Sequence, residues 1–116
     1  MEKILSVSKV FSRTPGSRYE KEGRFSGEEF RNLILYPAIK ESIDNDNILV
    51  IDLDGTAGYG TSFLEESFGG LIRINKLDYD KILGHLKFVS KEEDYLIDDI
   101  KMYLKQANEF KIKSLV

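Results

Sequence analysis

No cysteine occurs in this chain of 116 residues, which excludes disulfides and thiolate metal sites outright. A reducing compartment is compatible with that absence. Histidine occurs once, as His85, and a lone imidazole makes neither a metal site nor a catalytic triad, so a structural or solvent-facing place is its default. No apolar run approaches the ~20 residues that a membrane-spanning helix needs. The opening MEKILSVSKVF alternates apolar and polar residues, where a signal peptide would carry an unbroken apolar stretch and a small-residue cleavage site. A cytoplasmic protein without membrane contact is expected. Nor is there an excess of positive charge: a formal charge of −3 argues against broad nucleic-acid binding, which draws most of its affinity from neutralised phosphates.

What is present suits one domain over residues 1–116, a length too short for two. Apolar residues at 41% can fill a single core, and charged residues at 32% suit a hydrated surface. The charge is unevenly placed. Residues 1–24 carry six basic and three acidic side chains, against eleven and seventeen in the remainder. An ordinary mixed surface accounts for this; the sharper reading gathers Arg13, Arg18 and Arg24 into a small patch for an acidic partner.

Alternation over Ile4–Phe11, with Leu5, Val7 and Phe11 on one face, predicts a half-buried strand. The segment from Arg13 to Gly23, with Pro15 and Gly16, reads as a loop with room for a short edge strand around Tyr19. Ser26 and Glu29 are spaced as a capping box. Behind it Phe30, Leu33, Ile34 and Ala38 recur at helical spacing, in a helix that Pro37 should bend or restart. Ile48–Ile51 is a continuous apolar run, the pattern of a central parallel strand covered on both faces. A glycine-rich loop, Asp52–Gly60, leads to a second helix with Leu64, Phe68, Leu71 and Ile72 on one face and a capping box of Ser62 and Glu65. Gly69 and Gly70 lower its helix propensity, and close approach to a neighbour is their expected use. A helical turn at Tyr79–Gly84 and a short strand at Leu86–Phe88 follow. A third box, Ser90 with Glu93, precedes a long helix carrying Leu96, Ile97, Ile100, Leu104 and Ala107. Strands alternating with helices imply right-handed crossovers. The expected fold is α/β, with about four strands in a mostly parallel or mixed sheet and three main helices.

Three motifs compete for the loop. Val50-Ile51-Asp52-Leu53-Asp54-Gly55-Thr56 resembles the nucleophile motif of the haloacid dehalogenase phosphatases. There the first Asp attacks phosphorus, the second moves protons and Mg²⁺ offsets charge. That chemistry also needs a Ser/Thr, a Lys and an acidic pair at other strand ends, whereas Asp98-Asp99 falls inside the last helix. Gly55 to Ser62 nearly spells a phosphate-binding P-loop, but Thr61 stands where the essential Lys belongs. A dinucleotide loop fits less well, since Phe63 takes the place of a third glycine.

A further pattern covers more of the chain. VIDLDGTAGYGTSFLEESFGGLIR resembles the central segment of a STAS-like family of unknown function. RTPGSRYEKEGRFSGEEFRNLILYPA and HLKFVSKEEDYLIDDIKMYL resemble its upstream and downstream portions. The resemblance implies a relation to STAS domains, the fold of bacterial anti-anti-sigma factors. Those bind histidine-kinase-type ATPases and are switched by phosphorylation at the start of the second helix. Against the STAS pattern, Asp52 and Gly55 are kept, and Thr61 and Ser62 fall on the two hydroxyl positions. Gly60 replaces an acidic residue and Phe63 a glycine. Thr61 and Ser62 are thus the candidate phosphoacceptors; the plain alternative makes Ser62 a helix cap and Thr61 a loop residue.

The leading expectation is a regulatory module without catalysis or cofactor. Its partner-binding loop holds Asp52, Asp54, Gly55, Gly58, Tyr59 and Gly60, and the resemblance implies a histidine-kinase-like ATP-binding partner. Within it, Asp52 is expected to fix the loop by accepting backbone amides and to matter more for stability than Asp54. Tyr59 reads equally as an exposed anchor or as a ring folded onto the core. The alternative is a small Mg²⁺-dependent phosphohydrolase using Asp52 and Asp54. A homo-oligomeric structural module is the third reading.

Overall fold

The computed structural model describes residues 1–114. Three strands, β1 (Glu2–Ser6), β2 (Ile48–Asp52) and β3 (Leu86–Val89), pair in parallel in the order β1-β2-β3. The register sets Leu5 beside Ile51 and Ile51 beside Phe88, with Leu49 beside Leu86. Because side chains alternate across a strand, these residues share one face of the sheet.

Among the described residues five helices accompany the sheet. A single turn, α1 (Val7–Val10), follows β1 directly. Helix α2 runs as α-helix over Gly27–Phe30, opens into a π turn over Arg31–Leu35, and resumes as α-helix over Tyr36–Asp44. Helix α3 repeats that plan, with α-helix over Thr61–Leu64, a π turn over Glu65–Gly69 and α-helix over Gly70–Arg73. The short α4 (Tyr79–Gly84) and the long α5 (Tyr95–Ser114) complete the set. Among the described residues no helix is long and apolar enough to cross a membrane.

Buried side chains of the helices, among them Phe30, Leu35, Ile39, Phe63, Leu71, Ile82, Ile100 and Leu104, join Leu5, Leu49, Ile51 and Leu86 in one core. Both crossovers advance the sheet in the same direction, and a shared right hand then places their helices on the same side. This corrects the expectation that β2 is covered on both faces. Val50 is buried but lies outside that core. It is screened by its strand neighbours and by Lys87 of β3, which reaches Glu2 of β1 at 3.0 Å.

Four strands were expected, and three are found among the described residues. The segment at Tyr19 is a short 3-10 turn, Glu20–Glu22. Its flanking backbone groups go to the start of α2 instead of a sheet edge: Gly16 N donates to Phe25 O, Gly27 N to Ser17 O and Glu28 N to Arg18 O. The first strand is also shorter and earlier than the alternation implied. The amides of Phe11 and Ser12 both donate to Val7 O at 3.0 Å. That turn swings Phe11 to 5.1 Å from the Phe30 ring and 5.6 Å from Phe25.

The capping expectations divide. Ser26 Oγ accepts from Glu29 N as foreseen, while the Glu29 carboxylate reaches back one residue further, to Phe25 N. Ser62 is no cap, because Gly60 occupies that position in extended conformation. Ser90 lies ahead of α5 and donates to Glu93 O. Pro37 stands in the first turn of the α-helix that resumes at Tyr36, which fits the expected restart, and the chain stays helical throughout. The π turn before it closes with Tyr36 N on Arg31 O, a wider ring that accommodates the missing proline amide.

Gly27 and Gly70 set how closely α2 and α3 approach. A Cβ on Gly27 would stand 2.5 Å from Phe63 O, and one on Gly70 would stand 2.1 Å from Arg31 Nη1. Of the two glycines expected to serve close approach, Gly70 does so against α2. Gly69 faces only Glu65 and Arg73 of its own helix.

Candidate functional site

The loop between β2 and α3 is fastened from several sides. Asp52 Oδ1 accepts the Asp54 amide at 3.0 Å, a local turn of the kind Asp favours. Asp54 reaches further. Its two carboxylate oxygens accept the amides of Lys91 and Glu92, at 3.1 and 3.0 Å, from the segment between β3 and α5. Glu92 returns the bond by accepting from Gly55 N. Ala57 N donates to Arg13 O at 2.8 Å. Gly55 and Gly58 take φ of 91° and 141°, a region that side chains disfavour. Gly55 also passes so near Ser8 that a Cβ would lie 2.7 Å from its hydroxyl.

Tyr59 folds back, which settles the even choice. Its hydroxyl donates to Leu53 O at 2.9 Å, its ring lies 6.0 Å from Phe63, and burial pushes its phenol up to about 12. Phe63 itself is buried and stands 5.8 Å from Phe30. The residue that departs from the STAS pattern therefore anchors the start of α3 in the core. Thr61 and Ser62 occupy the first two positions of that helix, and both are exposed.

The unequal fastening reverses the expected weight of the two aspartates. Hydrogen bonds to charged groups contribute ~1.5–3 kcal/mol when buried and less when hydrated. Asp54→Ala, which loses two exposed cross-segment bonds, is expected to cost about 1–1.5 kcal/mol, and Asp52→Ala, which loses one half-buried local bond, somewhat less. Thermal melts of the two variants check this; a lower melting temperature for Asp52→Ala would restore the original order.

Beneath the exposed start of α3 lies a cluster of five charges that was not foreseen as a group. Arg31 and Glu66 are nearly inaccessible, at 2% and 4% exposure. Arg31 Nη1 donates both to the Glu66 carboxylate and, at 2.8 Å, to Glu66 O. Arg31 Nε is buried without a partner among the described residues. Arg73 binds Glu65 through both terminal nitrogens, and Arg18 bridges Glu65 and Glu66. Burial pushes the Glu65 carboxyl up, but hydrogen bonds from Arg73 and Arg18 outweigh it and hold the group below its ordinary value. A depressed carboxyl stabilises the fold above the ordinary carboxylate range, and that contribution is lost as pH falls through the lowered value.

The proposed basic patch thus divides. Arg18 turns inward to Glu65 and Glu66, while Arg13 and Arg24 are exposed and Arg24 lies over the Phe25 ring at 5.5 Å. The signal for the charge cluster was the position of Glu66 on the buried stripe of Phe63, Ser67 and Gly70, and of Arg31 four residues after Gly27. Asp98 and Asp99 lie in α5, away from any strand end. Among the described residues no group of three or more His, Asp or Glu side chains is placed to hold a metal ion.

His85 sits between α4 and β3, where Nδ1 is 2.7 Å from Lys81 O and Nε2 is 3.1 Å from Asp46 Oδ1. The bond to the Lys81 carbonyl, then the Asp46 carboxylate, raise its pKa. A raised imidazole stabilises the fold below its ordinary value, and the contribution fades as pH climbs through the raised one. An NMR titration should find Asp46→Asn moving the His85 midpoint down; an unmoved midpoint would show that Asp46 has no hold on it.

Residues 26–96 match a family described as a STAS-like domain of unknown function. No curated protein and no solved structure matches the chain.

Proposed function

We propose, from the premise that this chain belongs to that STAS-like family of unknown function, that it is a regulatory module which binds a partner protein and performs no catalysis. The carrying observation is the fastened loop. Asp54 and Ala57 hold it to two other parts of the fold, and Tyr59 ties its end back to Leu53 at its start, so a partner would meet a surface whose ordering entropy has already been lost. Exposed Thr61 and Ser62 stand at its far end, beside the N-terminal dipole of α3, which favours added negative charge. A histidine-kinase-like ATP-binding protein is the partner that fits the family relation, in a cytoplasmic setting.

A phosphoryl group would bring about −1.5 to −2 charges at neutral pH. The fold should tolerate it, because Glu65 and Glu66, the nearest acids along the helix, already face three arginines. A partner closing over the loop would instead have to desolvate that charge.

Thr61→Glu and Ser62→Glu variants should therefore stay folded. In affinity capture from the source cells, at least one should lose a histidine-kinase-type ATPase that wild type retains, with affinity reduced at least tenfold, about 1.4 kcal/mol. Matching Ala variants should bind normally. Retention by both Glu variants removes the loop as the docking surface. Phosphomonoesterase or ATPase turnover with Mg²⁺, abolished by Asp52→Asn, would replace this reading with the hydrolase one.

A further inference from the structure

At the opposite end of α3 from the loop, about 18 Å along the helix at ~1.5 Å per residue, the surface opens into a cleft of about 530 Å³ between α3 and α5. Its floor is made by buried Ile72 and Ala107, and its rim by Ile74 and Phe110, which are 57% and 66% exposed. Among the described residues its charged lining is all of one sign, Arg73, Lys76 and Lys111. That is notable in a chain whose net charge is −3. Arg73 is held by Glu65, whereas Lys76 and Lys111 form no ion pair among the described residues.

The backbone adds a second observation. Helix α3 ends with Leu77 N donating to Leu71 O, a closing bond that needs a left-handed residue just before it, usually glycine. Here that residue is Lys76, at φ 61°. A side chain in this region costs ~1–3 kcal/mol, and such strain gathers at functional positions. The strained residue is one of the two lysines that line the cleft.

We propose that this cleft binds a small anionic amphiphile, an apolar body of about the size of a medium alkyl chain or one aromatic ring carrying a single carboxylate. The volume lies within the range of small-molecule pockets. The apolar floor would take the body, and Lys76 and Lys111 the charge. The site is separate from the partner-binding loop and does not depend on that reading.

The test titrates the ¹⁵N-labelled full chain with decanoate below its micelle concentration, beside decanol and decyltrimethylammonium. Decanoate should bind saturably, shifting the amides of Ile72, Ile74, Lys76, Ala107 and Phe110, with the cationic chain at least tenfold weaker. Lys76→Gly should melt no lower than wild type, since glycine relieves the left-handed strain. Combined with Lys111→Gln it should weaken decanoate at least tenfold without unfolding. Equal binding of all three alkyl chains, shifts confined to other residues, or undiminished binding by the double variant would overturn the proposal. Capture by phosphatidylglycerol vesicles without saturable decanoate binding would overturn it too, by making the cleft a membrane-facing surface.

Discussion

Glu66→Ala is expected to destabilise the protein by about 3–5 kcal/mol, the cost of leaving a buried charge without its partner. Arg31 would keep its guanidinium in the core at 2% exposure, holding only the Glu66 backbone carbonyl. Its Nε already lacks an acceptor among the described residues. Removing both charges should be far milder. Apolar replacements of buried ion pairs are often neutral or stabilising, so Arg31→Met with Glu66→Leu should recover most of the loss. Urea denaturation of Arg31→Met, Glu66→Leu and the double variant provides the cycle, beside Glu66→Ala. If Glu66→Ala costs less than ~1 kcal/mol, within the range of exposed pairs, the carboxylate is effectively hydrated and the pair is not a core element.

Phe63→Ala should lose a similar amount, about 3–5 kcal/mol for a fully buried aromatic side chain. The ring is 1% exposed and touches three neighbours, Phe30 at 5.8 Å, Tyr59 at 6.0 Å and Phe11 at 6.1 Å. It therefore ties the loop and the end of α1 to helices α2 and α3. Amide exchange at Asp54 and Gly55 should quicken more than global destabilisation accounts for, because Tyr59 loses its packing surface. Uniform quickening across β2 and α5 would instead mark Phe63 as a general core residue with no special link to the loop.

These two residues also mark where reading the sequence succeeded and where it stopped. The apolar spacing of Leu64, Phe68, Leu71, Ile100 and Leu104 located α3 and α5 with their buried faces, since a helix that buries one face must repeat near 3.6 residues. In α2 the stripe of Phe30, Leu33, Ile34 and Ala38 located the helix but not its face, because the π turn moves burial to Leu35 and Ile39 and leaves Leu33 66% exposed. The run at Ile48–Ile51 located the central strand. It did not reveal a one-sided sheet, because strand neighbours can shield Val50 as well as a second layer of helices would. Alternation carried β1 too far, as a helical turn that mimics the same face buries Val7 and half-buries Phe11. Asp52 and Asp54 were legible as the loop's acids, but which one braces it depends on a segment nearly forty residues later, at Lys91 and Glu92. The charge cluster escaped for a related reason. Arg31 and Glu66 stand 35 residues apart, so a charge on a buried stripe does not by itself name its partner.

The two π turns have a consequence for comparing this chain with its relatives. A π turn holds one residue more than the α turn it replaces, so everything beyond it is rotated by about 100° around the helix axis. In α2 the extra residue brings Leu35, Ile39 and Ser42 onto the buried side that Phe30 began. A relative with an unbroken α-helix here would keep the same inward residues only through a one-residue gap in each helix. Both gaps would fall beside the ion pair, between Arg31 and Leu35 and between Glu65 and Gly69.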